Sequence, residues 1–519
     1  MPRQVKYLSA TAHTARKSNL NKADLNQAPP SPYHVSLTPI IYLPVRNGLA
    51  LNTPDHSATP LWNSDLIQKY NLAGPRYTSY PTALQFHDEV GTAHWHNAVE
   101  ASNQSQKPIS LYFHIPFCST VCYYCACNKI ITANTKLTDT YVEHLLKEFD
   151  LQCESIDRSR LVKQLHWGGG TPTYLNDDQI QRILQHISAT LNFANDKEGE
   201  FSIEIHPATV NAKRIEHLRS FGFNRLSIGV QDFDPKVQCA VNRFNSVAEV
   251  EKIFSAARDA NYKSISVDLI YGLPLQSYES FNTTLDHVIE LSPDRISLFN
   301  YAHMPHLFKV QKQIRTEDLP EPQEKMRILH HSIDKLVEAG YVYIGMDHFA
   351  KADDELAIAQ QKKNLHRNFQ GYSTHDDCDL FAFGVSSISN IGNQLFQNHK
   401  GLNEYQNSID QGELAMIKGF KLNSDDLIRK YVISELVCNF EIKFARLEQR
   451  YGVDFTNYFQ NEMPELHELA RDGLIEIDDE KISVLYSGRL LVRRICMVFD
   501  AYLQKAPKAV DQPRYSRII

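Results

Sequence analysis

Residues 116–127 read Pro116-Phe117-Cys118-Ser119-Thr120-Val121-Cys122-Tyr123-Tyr124-Cys125-Ala126-Cys127. The thiols of Cys118, Cys122 and Cys125 have the spacing C-x3-C-x2-C, and cysteine thiolates are the ligands that hold [4Fe–4S] clusters. Three ligands for four irons leave one iron open to a small molecule. The alternative is a zinc site, but zinc prefers paired C-x2–4-C units, and no second pair follows in this sequence. The spacing therefore predicts a cluster with one open iron.

The cysteine loop follows a strand and begins a series of strand–helix units. Residues 109–115 are β-branched and aromatic, as a buried strand requires. Alternating strands and helices indicate a parallel sheet with right-handed crossovers. Six units fall short of the eight of a complete barrel, so we expect an α/β fold built on a partial (β/α)6 barrel. The other strands are predicted at Val162–Trp167, Phe201–Ile205, Arg225–Val230, Ser264–Ile270 and Asp294–Phe299, with helices near 138–152, 176–193, 211–221, 247–260 and 278–291.

The pattern Tyr-x-His-Ile-Pro-Phe-Cys-x3-Cys-x-Tyr-Cys-x-Cys, from Tyr112 to Cys127, resembles the cluster loop of radical S-adenosylmethionine (SAM) enzymes. Within that superfamily it is similar to the oxygen-independent coproporphyrinogen III oxidases, also called dehydrogenases. The likeness runs from about Trp62 to the C-terminus. It implies a radical SAM partial barrel, one [4Fe–4S] cluster whose open iron binds SAM, and two SAM molecules. In the family, one electron from the cluster cleaves SAM to methionine and a 5′-deoxyadenosyl radical.

The resemblance also assigns residues near the carboxyl ends of the predicted strands, where the active sites of such barrels lie. The cluster ligands are Cys118, Cys122 and Cys125. His206 stands where family members usually carry Asp or Asn, so its role stays open. For the glycines after Trp167 a tight turn is the plain alternative, and for Arg243 it is a surface arginine. The implied SAM-binding residues are Tyr112, Tyr124, Gly169, Gly170, Thr171, Glu204, Gln231, Arg243, Asp268, Ala302 and Ile388.

Three further residues are predicted to face the substrate. A cube whose fourth iron binds SAM has no vacancy for Cys127, so this thiol either takes part in hydrogen transfer or packs as a small hydrophobe. A substrate with four carboxylates needs cations. Arg76, in the proline-bracketed arm Gly74–Thr82, and Arg367, in the string His366–Tyr372, are the candidates. Structural loops are the alternative for both segments.

Length and composition restrict the class of protein. The 519 residues are 42% hydrophobic and 22% charged, which is ordinary for a globular protein. A net charge of −7 argues against a nucleic-acid partner. No apolar run approaches the ~20 residues that span a bilayer, so no membrane partner is expected. Nine cysteines, an odd number and clustered, favour a reducing compartment, hence the cytoplasm.

Composition shifts along the chain suggest five segments. Residues 1–60 carry six basic and two acidic residues, and a disordered extension is favoured over a transit peptide because amphipathic periodicity is missing. A long helix is predicted after Gln323, before Tyr341–Phe349, and a short strand pair near Leu474–Val484. The segments are an extension (1–60), an N-terminal arm (61–108), the radical SAM partial barrel (109–320), a barrel extension with cavity loops (321–419) and a small, mostly helical C-terminal domain (420–519).

The resemblance implies the oxidative decarboxylation of two propionate side chains of coproporphyrinogen III to vinyl groups, which gives protoporphyrinogen IX. A one-electron donor such as flavodoxin or ferredoxin would reload the cluster, and a monomer is expected. The alternative is the haem-trafficking paralogue of the same fold, which usually has Phe in place of Cys127 and a His-Asn-x-x-Tyr-Trp string. This chain has Cys127 and reads His366-Arg367-Asn368-Phe369, which favours the enzyme. A radical SAM enzyme for a different carboxylate is disfavoured by the Gly74–Thr82 arm.

Overall fold

The computed structural model describes residues 60–375, 378–505 and 515–519, without the side chains of residues 504 and 505. The predicted extension, apart from residue 60, lies outside the described residues. The α-helices are α1 (Ser64–Tyr70), α2 (Thr92–Ser105), α3 (Lys136–Cys153), α4 (Asp177–Thr190), α5 (Ala212–Ser220), α6 (Pro235–Val241), α7 (Val247–Asp259), α8 (Tyr278–Leu291), α9 (Pro322–Glu338), α10 (Glu355–Gln361), α11 (Leu402–Asp410), α12 (Ser424–Asn439), α13 (Phe444–Tyr451), α14 (Phe455–Tyr458), α15 (Met463–Arg471), α16 (Val492–Met497) and α17 (Ala501–Lys505).

The strands alternate with these helices over the first half of the described chain. They are β1 (Ile109–Ile115), β2 (Phe117–Cys118), β3 (Ile130–Ile131), β4 (Leu161–Gly169), β5 (Asn192–Phe193), β6 (Glu200–Ile205), β7 (Arg225–Gln231), β8 (Ser264–Tyr271), β9 (Arg295–Asn300), β10 (Tyr341–Gly345), β11 (His348–Lys351), β12 (His366–Asn368), β13 (Gly371–Ser373), β14 (Asp379–Phe383), β15 (Ile388–Ile391), β16 (Gln394–Asn398), β17 (Met416–Lys421), β18 (Glu441–Lys443), β19 (Ile475–Ile477) and β20 (Lys481–Val484).

One 13-stranded sheet organises the molecule, in the order β10-β11-β9-β8-β7-β6-β4-β1-β14-β15-β16-β17, with β5 beside β4. The six predicted strands are β1, β4, β6, β7, β8 and β9, and each pairs in parallel with the next. The order runs from one edge strand to another, so the sheet does not close on itself within the described residues. The prediction of an α/β fold with a partial barrel is confirmed.

The helices of these units follow from local sequence signals. Helix α4 starts with a capping box between Asn176 and Gln179, and α7 starts with one between Ser246 and Glu249. Such boxes satisfy backbone N–H groups that the first helical turn leaves without partners. Helix α4 then buries Ile180, Ile183 and Ile187, at helical spacing, in the core. Caps and apolar stripes together explain why helices α4, α5, α7 and α8 lie close to their predicted positions.

The sequence pattern missed a seventh parallel strand. Strand β14 pairs in parallel with β1, on the side opposite β4, and all five of its residues are buried. Strands β15, β16 and β17 continue from it in antiparallel fashion. A short, fully buried strand has no alternation of polar and apolar residues, and no helix directly precedes this one, so neither signal of the other units was present.

The part after β17 is mostly helical, as predicted. The predicted strand pair is β19 and β20, and β18 joins it as a third strand that the sequence pattern did not reveal. The described residues belong to one compact unit, and the boundaries at 108, 320 and 419 stay predictions. Within the described ranges, no helix combines the length and the apolar character needed to cross a bilayer.

Candidate active site

The cysteine loop is anchored through its backbone on both sides. The N–H of Tyr123 donates to the carbonyl of Val241 at 2.9 Å, and the Asn242 amide donates to the carbonyl of Val121 at 2.8 Å. On the other side, Gln311 Nε2 donates to the carbonyl of Tyr124 at 3.0 Å. These contacts join the loop to the end of α6 and to a 3-10 turn after β9, so the directions of the three thiols are set by the barrel.

The three predicted ligand thiols are free, and each lies beside a donor or a cation. Arg243 Nη1 lies 3.6 Å from the sulfur of Cys122, and the hydroxyl of Thr171 lies 3.4 Å from that of Cys118. A hydrogen bond from the Cys127 thiol and the charge of Lys129 lower the pKa of Cys125 to about 6 despite its burial. Burial raises the pKa of Cys118 to about 11. The surroundings therefore favour the thiolate form more at Cys125 than at Cys118.

The residues around the loop fit a cluster with a bound small molecule. A Cβ on Gly170 would lie 2.5 Å from the carbonyl oxygen of Pro116, so only glycine lets β4 approach the cysteine loop this closely. Buried Gln231 Oε1 has no hydrogen-bond partner among the described residues and can accept a bond from a ligand. Among the described residues, no three His, Cys, Asp or Glu side chains come close enough to surround one metal ion.

A cavity of about 320 Å³ opens beside the cysteine loop. Four of the predicted SAM-binding residues line it: Tyr112, Gly169, Glu204 and Ile388. Cys127, the exposed thiol two residues after the last ligand, lines it as well. The structure thus brings together residues of β1, β4, β6 and β15 that are up to 276 positions apart (388 − 112).

The other seven predicted SAM-binding residues lie outside the lining of this cavity, and three of them touch the cysteine loop or its anchor. Thr171 and Arg243 contact thiols, and the carbonyl of Ala302 accepts a bond from Gln311 at 3.2 Å. Arg243 is buried and its Nε donates to the carbonyl of Gly229 at 3.1 Å. Burial and the charge of Glu204 raise the pKa of Asp268 to about 6. The predicted set therefore divides into a cavity group and a group on the cluster side: Tyr124, Gly170, Thr171, Gln231, Arg243 and Ala302. Asp268 belongs to neither group and lines a neighbouring cavity of about 220 Å³ inside the barrel.

Comparison with known proteins identifies this arrangement. Residues 112–288 match the family described as Radical SAM superfamily, and residues 422–491 match the HemN C-terminal domain. The oxygen-independent coproporphyrinogen III oxidase of Pseudomonas aeruginosa is 48% identical over 458 residues, which cover 88% of this chain and 99% of that protein. That of Helicobacter pylori is 40% identical over 85% of this chain and 97% of its own. The solved coproporphyrinogen III oxidase (HemN) of Escherichia coli superposes with a TM-score of 0.81, at 46% identity, over 86% of this chain and 100% of that one.

This chain belongs to the oxygen-independent coproporphyrinogen III oxidase family. The resemblance found in the cysteine loop is confirmed, and the haem-trafficking alternative is not favoured.

In this member of the coproporphyrinogen oxidase family, two histidines to which the sequence assigned no role, His114 and His166, line the cavity. His166 stacks on Tyr112, its partner in the β1–β4 register, with ring centroids 5.8 Å apart, and its Nε2 lies 3.2 Å from Glu204 Oε1. His114 Nδ1 lies 3.1 Å from the Tyr112 hydroxyl, and its Nε2 lies 3.0 Å from the carbonyl of Asn128. Polar residues inside otherwise apolar strands were the signal that could have found them.

The carboxylate of Glu204 has hydrogen-bond partners within the barrel. Besides His166, the N–H of Gly169 donates to its Oε2 at 3.2 Å, and its side chain stays 44% exposed to the cavity. A carboxylate with one remaining open side can still accept bonds from a bound ligand. His206, which the family comparison left open, only caps a 3-10 turn: its Nδ1 accepts from the N–H of Ala208 at 3.2 Å. Burial and the charge of Arg243 lower the pKa of His206 to about 3, so its ring is neutral.

A second wall of the cavity is formed by residues 386–388, and it is connected through Gly384 to a carboxylate that the sequence pattern did not reveal. Fully buried Glu148 accepts from the N–H of Gly384 and from the hydroxyl of Tyr405, both at 2.7 Å. Its other oxygen accepts from Asn398 at 2.6 Å. Burial raises the pKa of Glu148 to about 7, although these donors oppose the shift. An acidic residue on the buried face of α3 was the available signal.

The two arginines predicted to bind substrate lie at the barrel mouth and differ in their contacts. Arg76 forms an ion pair with Asp347 at 2.8 Å. The guanidinium carbon of Arg367 lies 5.1 Å from the centre of the Tyr372 ring. Neither arginine lines the 320 Å³ cavity. Their roles toward substrate stay predictions.

Proposed function

We propose that this protein converts coproporphyrinogen III to protoporphyrinogen IX by radical SAM oxidative decarboxylation of two propionates to vinyl groups. The observation that carries this function is the set of three free thiols at C-x3-C-x2-C spacing, framed by Arg243 and Thr171, in a chain 48% identical to an oxidase of this name over nearly its whole length. For each propionate, one hydrogen atom, one CO2 and one electron leave the side chain.

The thiolates of Cys118, Cys122 and Cys125 would hold the cluster. Thr171 and Arg243 donate toward two of these sulfurs, and donors and positive charge beside a thiolate stabilise its charged form. When bound, the cluster and SAM supply the hydrogen-atom abstraction that the side chains of this protein cannot perform. The protein supplies position and a site shielded from water.

Two SAM molecules fit the division of the predicted residues. One group, led by Arg243 and Thr171, faces the thiols, and the other, with Tyr112 and Glu204, lines the separate 320 Å³ cavity. A cofactor bound at the open iron would use the first group. The cavity group would bind the second molecule, with Glu204 accepting from its amino group or ribose hydroxyls.

Cys127 would act where the two groups meet. Its thiol lines the cavity and lies two residues after the predicted ligand Cys125. It is therefore placed to pass or receive a hydrogen near the second cofactor, whereas the cluster does not need it as a ligand.

The remaining partners follow from the chemistry. Each cycle consumes one electron at the cluster, so a one-electron donor such as flavodoxin or ferredoxin would supply it. An oxygen-sensitive cluster and nine cysteines fit the cytoplasm. We expect a monomer.

Anaerobic reconstitution with iron and sulfide, followed by turnover, tests the function. With SAM, a reductant, an electron acceptor and coproporphyrinogen III, the protein should release CO2, methionine and 5′-deoxyadenosine together with protoporphyrinogen IX. Omitting SAM is the control. Tight haem binding without decarboxylation would favour the haem carrier instead.

A further inference from the structure

The two arginines at the barrel mouth border one cluster of rings, formed by Phe299, His348 and Tyr372. The His348 ring centroid lies 5.9 Å from that of Phe299 and 5.1 Å from that of Tyr372. Arg76 lies 5.8 Å from the centre of Phe299, and Arg367 lies 5.1 Å from the centre of Tyr372. The two cations therefore approach this aromatic cluster from opposite ends.

The charge of Arg76 is already balanced within the protein. Its Nη1 lies 2.8 Å from Asp347 Oδ2, and the Asp347 side chain is only 15% exposed. The carbonyl of Asp347 accepts from the N–H of Leu298 at 2.7 Å, which fixes this residue to β9. The ion pair thus ties the Gly74–Thr82 arm to the turn between β10 and β11.

The charge of Arg367 has no such partner in the part of the chain that the structure describes. Its Nε and Nη1 are buried without a hydrogen bond, and in the described ranges of the chain no carboxylate lies within ion-pair distance of it. Burial and the charge of Arg367 lower the pKa of His348 to about 3, so that ring is neutral. His348 Nδ1 is likewise buried without a partner. Buried donors without partners are costly, and an unpaired buried cation is more costly still.

The aromatic cluster adjoins the candidate active site. All three of its rings line a second cavity, of about 220 Å³, inside the barrel. This cavity shares His166 and Glu204 with the 320 Å³ cavity. A ligand group held at this aromatic cluster would therefore lie next to the site where the cofactors are proposed to bind.

We propose that Arg367 binds a carboxylate of a bound ligand, with His348 as a second, uncharged donor, whereas Arg76 holds the arm in place through Asp347. This inference rests on the proposed function, which supplies a substrate with four carboxylates. The methionine carboxylate of SAM is the other source of this group. A guanidinium can meet a carboxylate with two parallel hydrogen bonds, which explains why an arginine is used here.

The first test replaces Arg367 with Gln and measures turnover and binding separately. Loss of a charged hydrogen bond should raise the KM for coproporphyrinogen III about ten- to hundredfold, with the Kd for SAM unchanged. Arg367→Lys keeps the positive charge but cannot form two parallel hydrogen bonds. Its KM for coproporphyrinogen III should lie between those of the wild type and Arg367→Gln. Arg450→Gln is the matched control, since Arg450 is exposed and also lies 5.1 Å from a tyrosine ring centre. Iron content equal to that of the wild type shows that each variant folds.

A second test uses the tetraamide of coproporphyrinogen III as a competitive inhibitor. The amide has no carboxylates, so it should bind the wild type much more weakly than the substrate does. This difference should shrink in Arg367→Gln and stay at the wild-type value in Arg76→Gln. By contrast, hydrogen exchange in the Gly74–Thr82 arm should speed up equally in Arg76→Gln, Asp347→Asn and the double variant.

The outcomes of these tests distinguish the carboxylate site at Arg367 from the proposed function. A higher Kd for SAM in Arg367→Gln, with KM unchanged, keeps the carboxylate site and assigns it to the cofactor. If neither constant changes, or if Arg76→Gln loses the preference for the acid as strongly as Arg367→Gln, the inference is wrong. A wild-type protein that fails to turn over coproporphyrinogen III contradicts the proposed function instead, and direct binding of the porphyrinogen and of SAM still tests Arg367.

Discussion

The 320 Å³ cavity has two walls that are built in different ways. The barrel wall carries Gly169 and Glu204 at the ends of the adjacent parallel strands β4 and β6, whose positions follow from the register of the sheet. The second wall, residues 386–388, follows Gly384, whose N–H donates to Glu148 of helix α3, more than 230 positions earlier in the chain. One wall therefore depends on repeated local units, whereas the other depends on contacts with distant parts of the chain, among them one buried carboxylate.

The largest effect should come from removing a ligand on the barrel side. Cys122→Ser should abolish decarboxylation and reduce the iron content from about four per chain, because a hydroxyl cannot replace the thiolate. Iron analysis of anaerobically purified protein checks this. Cys239→Ser, at another exposed thiol, is the control and should keep its iron. Stoichiometric zinc without iron in the wild type would contradict the cluster itself.

The contribution of Glu148 to the free energy of unfolding should depend on pH. Burial raises the pKa of Glu148 from 4.5 to about 7. Between these values the folded protein holds a proton that the unfolded chain has lost, so the free energy of unfolding falls as the pH rises from about 4.5 to 7. The fall should be on the order of 3 kcal/mol and should be missing in Glu148→Gln. Urea unfolding of both proteins at pH 5 and pH 8 measures it, and equal changes in the two proteins would refute the assignment.

At the junction of the walls, Cys127→Ser should separate structure from chemistry. The iron content and the spectrum of the cluster should stay as in the wild type, because Cys127 is not needed as a ligand. Decarboxylation should fall, by about tenfold or more if the thiol takes part in hydrogen transfer. Loss of the cluster would make Cys127 a ligand, and unchanged activity would leave it a packing residue.

We expect the smallest effect from a change in the N-terminal cap of helix α7, one of the helices of the barrel. Ser246 caps α7 by accepting from the N–H of Glu249 at 3.2 Å. Ser246→Ala should lower the free energy of unfolding by about 1 kcal/mol, with the KM for substrate unchanged, because α7 lies outside both cavities. Ser246→Asp keeps a capping oxygen and serves as the control in the same urea titrations. A change in KM in Ser246→Ala would mean that the barrel wall is less rigid than the paired strands suggest.

Much of the barrel could be predicted because each unit carries its own signals. Strand β7 was expected at Arg225–Val230 and lies at Arg225–Gln231, since a short apolar run between turn signals suffices to mark it. The contacts that complete the site carry no such local mark. Nothing near Glu148 in the sequence indicates Gly384, and nothing near Arg76 indicates Asp347.

The sequence by itself determined the cysteine spacing, the order of the β/α units and the family, because thiol spacing and hydrophobic periodicity are properties of neighbouring residues. Only the tertiary structure decided which charges find partners. Arg76 and Arg367 look alike as candidates in the sequence, but folding brings Asp347 to one and no described carboxylate to the other. The physical reason is that electrostatic pairing depends on distance in space, which sequence separation does not set.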